Sequence, residues 1–435
     1  MFLKKQFVDV QQNGKKEIKK KFLLLLKYFF SFPVYLYGFI ICCLFFFLKP
    51  IITIRVQRLP TENFGDFLIF TGLYYIKKKI LKKKEHNAID LIFIDQKKIP
   101  VNKTIYKIFS KKITFFPEIL IKPIFEVSKA LPIFNTLLIP IFSTRLEYDE
   151  NNLFEKFQIL ELNEHEKQKG EKLLKDYYGI DSDAKIAFLA VRDSEFTKFK
   201  SSKINTNLEH NSFRDFDISN FYKACDFLTK KGFYVFRMGR KAEKKFGLNN
   251  PRIIDYATSN AKNDFLDVYI AYRCDLCIST SFGLDALPYV FGKPMAITTT
   301  PVGDFRGHSK RIFLTTRRHY HLDLKRDLSL KEIFDKKLAF ITKDTEFKNA
   351  NIDLIEPSES EIGYFIEEFY EKIYLRNSIS EDEKRLQEKF KTLFKEFFKN
   401  TNYTLNKKKY YKNLHSNFSS LFSFSFLEKN KNWLN

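Results

Sequence analysis

Three stretches of the chain place the same kinds of side chain just after predicted strands. They are Val191-Arg192-Asp193-Ser194, Phe236-Arg237-Met238-Gly239-Arg240 and Ile278-Ser279-Thr280-Ser281-Phe282-Gly283-Leu284-Asp285. Arg offers a planar fork of donors that matches phosphate oxygens. Ser and Thr hydroxyls add donors, and a glycine such as Gly283 lets backbone approach a ligand closely. The free N–H groups at the start of the next helix, near Phe282 and Gly283, favour an anion. Arg192, Asp193, Arg237, Gly239, Arg240, Ser279, Thr280, Ser281, Gly283 and Asp285 are therefore the candidates for a phosphate-binding edge. Any one Arg could instead be a surface ion pair, and Ser279-Thr280-Ser281 alone a helix cap. Asp285 either accepts from ribose hydroxyls or only complements the helix dipole. The P-loop spacing with its Lys and the dinucleotide glycine fingerprint are both missing.

A second kind of chemistry is suggested by Gly65-Asp66, at a predicted turn from strand to helix. A carboxylate there can serve as general base toward an acceptor hydroxyl, with Gly65 on the acceptor side. The plainer alternative is a first-turn acid near the helix dipole. No metal site is expected. His308, His319 and His321 have poor ligand spacing, and Cys274/Cys277 form a single C-x-x-C with no partner pair, which reads as small residues flanking a buried strand. Asp181-Ser182-Asp183 lies in a turn before a strand, not after one.

Such residues need a parallel sheet to bring them to one edge. Strand patterns at 51–56, 88–95, 185–191, 233–237, 252–255, 276–279 and 294–298 alternate with helical patterns at 64–81, 105–111, 164–178, 218–230, 264–272 and 283–291. Ile113–Phe116 is a further candidate strand. This alternation predicts βαβ units and an α/β fold. The expected organisation is a basic, apolar segment at 1–50, a Rossmann-like domain at 51–180, a second at 181–356, and a helical tail without strands at 357–435.

Composition narrows the class. The 435 residues carry 75 Lys+Arg against 52 Asp+Glu, a net charge of +23, with 50 Phe and only five Cys. That much apolar side chain excludes wholesale disorder, and the cysteine count excludes a disulfide framework. The basic charge suits an anionic membrane or phosphorylated substrates, although a Lys-, Ile- and Asn-rich composition of this kind also follows from AT-rich codons. No nucleic-acid partner is expected, because no recognition motif accompanies the charge. Tyr28–Leu48 carries no charge and is bracketed by Lys15, Lys16, Lys19, Lys20, Lys21 and Lys27 before it and Lys49, Arg55 and Arg58 after it. Residues 15–58 are read as a segment lying in the membrane interface and interrupted near Pro33 and Gly38. A spanning helix and a buried soluble helix are the alternatives.

The stretches SFRDFDISNFYKACDFLTKKGFYVFRMGRK, DFLDVYIAYRCDLCISTSFGLDALPYVFGKPM and Thr300-Pro301-Val302-Gly303, together with Val191-Arg192-Asp193-Ser194, resemble a family of bacterial glycosyltransferases found among surface-polysaccharide genes. The similarity covers roughly 51–356, and the tail near Phe426–Asn430 and Trp433-Leu434 is similar as well. The resemblance implies a GT-B arrangement, two facing Rossmann-like domains, with acceptor on the first and nucleotide sugar on the second. More distantly, the Arg192 and Ser279-Thr280-Ser281 stretches resemble the donor region of fucosyltransferase-like enzymes, which implies Arg192 on the donor β-phosphate. It further implies hexosyl or deoxyhexosyl transfer to a lipid-linked or polysaccharide acceptor at the cytoplasmic face of the inner membrane. The nucleotide sugar is then substrate, with neither metal nor cofactor. Family members often carry Gly-His where this chain has Gly65-Asp66. That departure keeps a non-catalytic protein of the same fold as an alternative.

Overall fold

The computed structural model describes residues 32–61, 63–81, 88–95, 102–139, 153–194, 209–239, 245–298, 302–341, 343–400 and 418–435. The chain divides into two compact units. Unit 1 comprises residues 1–62, 77–100 and 109–141, and unit 2 comprises 63–76, 101–108 and 142–435. This differs from the sequence boundaries at 180 and 356. The helix Glu164–Tyr178 belongs to unit 2, where Gly170 lies flat against the Tyr269 ring. The tail after 357 also belongs there, because Ile362, Phe365, Ile366 and Phe369 of the helix Glu359–Phe369 enter the same core as the strands.

Unit 1 is built on two parallel strands, β1 (Thr53–Leu59) and β2 (Ala88–Ile94), in register from Thr53↔Ala88 to Leu59↔Ile94. Arg55 and Asp90 face each other in that register, and their side chains pair at 2.8 Å. Val56 and Phe93 point into a core completed by residues 32–48 and the helix Glu118–Ala130. The segment 32–48 is one continuous helix. The expected break at Gly38 is absent. Gly38 instead lets the Pro123 carbonyl come in, where a Cβ would stand 2.6 Å from its oxygen. Ile113–Phe116 contributes only a bridge, Ile92↔Phe115.

Unit 2 holds a seven-stranded, wholly parallel sheet in the order β12-β8-β7-β6-β3-β4-β5. The strands are β3 (Lys185–Ala190), β4 (Phe233–Arg237), β5 (Ile253–Ile254), β6 (Leu276–Ser279), β7 (Met295–Thr298), β8 (Ile312–Thr315) and β12 (Leu421–Phe422). Both faces are covered, as a parallel sheet requires. Ala187 and Leu189 pack with the helices Tyr222–Lys230 and Glu359–Phe369, while Phe236 meets Tyr178 and Tyr256 on the other side. A smaller antiparallel sheet, β10-β9-β11, combines β9 (Arg318–His321), β10 (Arg326–Asp327) and β11 (Ile352–Ile355). The tail is not strand-free as expected. β12 adds to β8 through Leu421↔Phe313 and Phe422↔Leu314, and Gln387 anchors it from the helix Glu381–Asn400 by two bonds to the Phe422 backbone, of 2.6 and 2.9 Å.

The strand order reverses direction at β3. The chain builds outward through β4 and β5, then returns to the other side of β3 with β6, β7 and β8. In open parallel sheets this reversal opens a crevice at the carboxyl edge, which is where ligands bind.

Candidate functional site

The residues at the carboxyl ends of β3 and β6 meet at that reversal. The backbone N–H of Arg192 donates to Thr280 Oγ1 at 2.9 Å, and the N–H of Thr280 donates to the Ala190 carbonyl at 3.1 Å. The β6 turn is tightly built. Ser281 has φ +58°, a left-handed conformation that costs a non-glycine residue energy. Local bonds hold it there. Its N–H donates to Ser279 Oγ at 3.0 Å, and its carbonyl accepts from Arg214 Nη2 at 2.5 Å. Ser279 Oγ in turn donates to Asp285 Oδ2 at 2.8 Å, and Asp285 Oδ1 accepts from Arg306 Nη2 at 3.0 Å. Asp285 is fully buried and forms a buried ion pair with Arg306.

Arg192 pairs with Asp215 at 2.9 Å, and both side chains are largely buried. Burial pushes the Asp215 carboxyl up to about 6; Arg192 and Arg317 oppose the shift, and Asp193 and Asp344 add to it. Arg317, in the turn after β8, donates to the Asp215 carbonyl, pairs with Glu356 at 3.1 Å and stacks on Phe216 at 4.1 Å. Arg317 itself is held below its usual value by burial. Arg237 is 3% exposed and lies between Asp193 (3.5 Å) and Asp255 (3.4 Å). Its guanidinium thus faces carboxylates of the β3 and β5 ends. Gly239 gives its carbonyl to Lys262 Nζ at 3.3 Å. Arg240 lies outside the described residues.

Gly65 and Gly283 are in contact within unit 2. A Cβ on Gly65 would stand 2.8 Å from Gly283 Cα, and one on Gly283 would stand 3.0 Å from Gly65 N. The first turn of the helix Phe64–Leu81, which carries Asp66, therefore rests on the β6 turn. Asn63 Nδ2 donates to Asp66 Oδ2 at 2.7 Å and orients that carboxylate. Such an arrangement carries the Asp66 carboxylate on the turn that rests against the β6 turn, and a carboxylate there can accept a proton.

The structure adds groups that the strand-end pattern leaves out: Arg214, Asp215, Arg306, Arg317 and Glu356. Arg214 and Asp215 lie in the stretch SFRDF, in plain view but not at a strand end. Arg317 follows β8, a strand the pattern does not predict. The helix expected over 283–291 is a 3-10 turn, Gly283–Asp285, followed by a short helix, Ala286–Val290, so its dipole is small. His308 sits close by, with its Nε2 2.9 Å from Tyr289 Oη; burial and then the Arg306 charge lower it to about 4, so it is neutral at neutral pH. His319 and His321 lie on β9, and among the described residues no group of His, Cys, Asp and Glu is arranged to hold a metal.

No protein-family model and no curated protein matches this sequence. Among solved structures, a glycosyl transferase family 9 protein from Veillonella parvula DSM 2008 aligns over 75% of this chain and 98% of its own, at 11% identity and a TM-score of 0.40. The ADP-heptose LPS heptosyltransferase II of E. coli aligns over 60% of this chain and 90% of its own, at 13% identity and a TM-score of 0.36.

Proposed function

We propose that this chain is a glycosyltransferase of GT-B type that moves a sugar from a nucleotide-sugar donor to a hydroxyl of a lipid-linked or surface-polysaccharide acceptor. The observation that carries the reading is the 2.9 Å bond between Arg192 N and Thr280 Oγ1 at the reversal of strand order. It joins the residue after β3 to the Ser279–Gly283 turn, and in sheets of this kind ligands bind at such an edge. The donor diphosphate would lie along this turn, with Arg192 as its main cation and Arg214 and Arg306 bracing the turn from behind. Asp66 would take the proton of the acceptor hydroxyl as its oxygen attacks the anomeric carbon. The bond to the diphosphate breaks, and positive charge builds up on the ring carbon and oxygen. Fixed guanidinium groups would stabilise the leaving anion without reorganising. Arg237 and Asp193 serve this edge as a buried brace.

A hexosyl or deoxyhexosyl donor fits the resemblance, and cytosolic nucleotide sugars would place the site on the cytoplasmic side. The pairing of Arg192 with Asp215 favours a second reading, a non-catalytic protein of the same fold whose cations are spent on its own carboxylates. A donor-hydrolysis assay separates the two, because transferases leak donor slowly to water. Turnover of any UDP-, GDP- or ADP-linked sugar that is lost in Asp66→Asn supports the enzyme. Binding without turnover toward water or any glycan acceptor supports the second reading.

A further inference from the structure

We infer that unit 1 docks flat on an anionic lipid bilayer through a composite apolar face made by the helix at 32–48 and the helix Glu118–Ala130. The inference rests on unit 1 alone and stands whether or not unit 2 transfers a sugar. Among the described residues, fifteen of the twenty large apolar side chains left exposed belong to unit 1. Soluble surfaces rarely gather them so densely. The helix at 32–48 contains no charged side chain. Its inner side is committed to protein: Cys42 is fully buried and its Sγ lies 3.3 Å from Ser128 Oγ, and Gly38 meets the Pro123 carbonyl. The outer side presents Leu36, Ile40 and Phe47, the last 77% exposed.

The second helix extends this face. Ile119 is 80% exposed, and Ile133 follows in the next turn of chain. Ile119, Lys122, Glu126 and Lys129 recur at helical spacing and so form one stripe. Lys122 is 46% exposed and pairs with Glu118 at 2.6 Å, while Lys129 and Lys49 are exposed. Glu118 and Glu126 balance Lys122 and Lys129, so the excess positive charge comes from Lys49 and from the sequence before residue 32, which carries Lys15, Lys16, Lys19, Lys20, Lys21 and Lys27.

Those cations decide between occupants. A second copy would bring the same lysine-rich sequence and Lys49 against themselves, whereas anionic headgroups neutralise them. The packed inner side decides the geometry. No helix among the described residues is long and apolar enough to cross a membrane, and one with a side fixed to protein lies in the interface plane. Tyrosines at its edge suit the headgroup level.

The test is flotation of the full chain with phosphatidylcholine vesicles and with vesicles of equal parts phosphatidylcholine and phosphatidylglycerol. The chain should float with the anionic vesicles and hardly with the neutral ones. The double variant Ile40→Asp, Phe47→Asp should lower the bound fraction by about tenfold or more at an unchanged melting temperature, since charged groups at the apolar boundary oppose insertion. Should that variant fold poorly, Ile119→Asp on the other helix should weaken binding in the same direction. Wild-type chain that ignores anionic vesicles, variants that bind as well as wild type, or a dimer in sedimentation that the same substitutions dissolve would each overturn the inference.

Discussion

At the scale of single residues, the account turns on how Arg192 divides its charge between Asp215 and a donor. The pair is 2.9 Å apart and largely buried, so removing the guanidinium should be felt in binding. Arg192→Ala is expected to weaken nucleotide-sugar binding by about 10- to 100-fold, the worth of one charge-assisted hydrogen bond. Asp66→Asn should leave donor affinity intact and lower kcat by about 10²–10⁴, the range for a lost general base. A pH dependence follows from Asp215, whose carboxyl is raised to about 6 by burial. As pH falls through that value Asp215 gains a proton and loosens its hold on Arg192. The sugar-linked diphosphate keeps its charge over the same range. Donor binding should therefore tighten toward pH 5, by up to about tenfold for one competing contact. Asp215→Asn should bind at all pH values as the wild type does at pH 5. Titration calorimetry from pH 5 to 8 checks both.

At the scale of elements, the start of the Phe64–Leu81 helix packs backbone to backbone on the β6 turn. Gly65→Ala would push a Cβ to 2.8 Å from backbone that has no free end to move aside. It should cost about 1–3 kcal/mol of stability, the usual penalty of overpacking, and should reduce turnover more than donor binding. Urea melts and steady-state kinetics on the same preparation would show it. Much of this level is legible in the sequence. The strands 233–237 and 276–279 and the helix Glu164–Tyr178 appear with their predicted bounds, because the strands are short apolar runs between polar stretches and the helix stops at Gly179. The Arg192 and Ser279–Gly283 stretches are visible as strand-end clusters. What is hidden is partner-dependent structure. β12 has two residues and exists because β8 offers an open edge, and β9 and β10 are defined by each other. Arg317 is missed along with β8, and Arg214 because a loop residue carries no period. The roles of Arg237 and Gly38 are hidden for a related reason. Only packing shows that one is enclosed by Asp193 and Asp255 and the other by Pro123.

At the scale of the whole molecule, two buried histidines weaken the fold in acid. Burial lowers His308 and His319 to about 4, below the ordinary value of 6.5. Between those pH values the unfolded chain binds protons at both and the folded chain does not, so stability falls as pH drops from 6.5 toward 4. Asp215 works the other way between about 6 and 3.8, where the folded chain binds the extra proton, and Glu356 and Glu368, both raised by burial, act in the same sense. The melting temperature should decline over this window. His319→Phe should flatten the decline, since the imidazole is fully buried against Phe347 and an apolar ring suits that place. A scanning-calorimetry series in pH would read this directly.

Calorimetric titration of UDP-, GDP- and ADP-linked sugars, with a CMP-linked sugar as the single-phosphate control, into wild-type and Arg192→Ala protein reaches the central claim most directly. At least one diphosphate-linked sugar should bind the wild type, the CMP-linked one should bind far more weakly, and Arg192→Ala should bind about 10- to 100-fold more weakly while still unfolding in a single cooperative transition. Equal affinity in the two proteins, or no heat from any diphosphate-linked sugar, would contradict it.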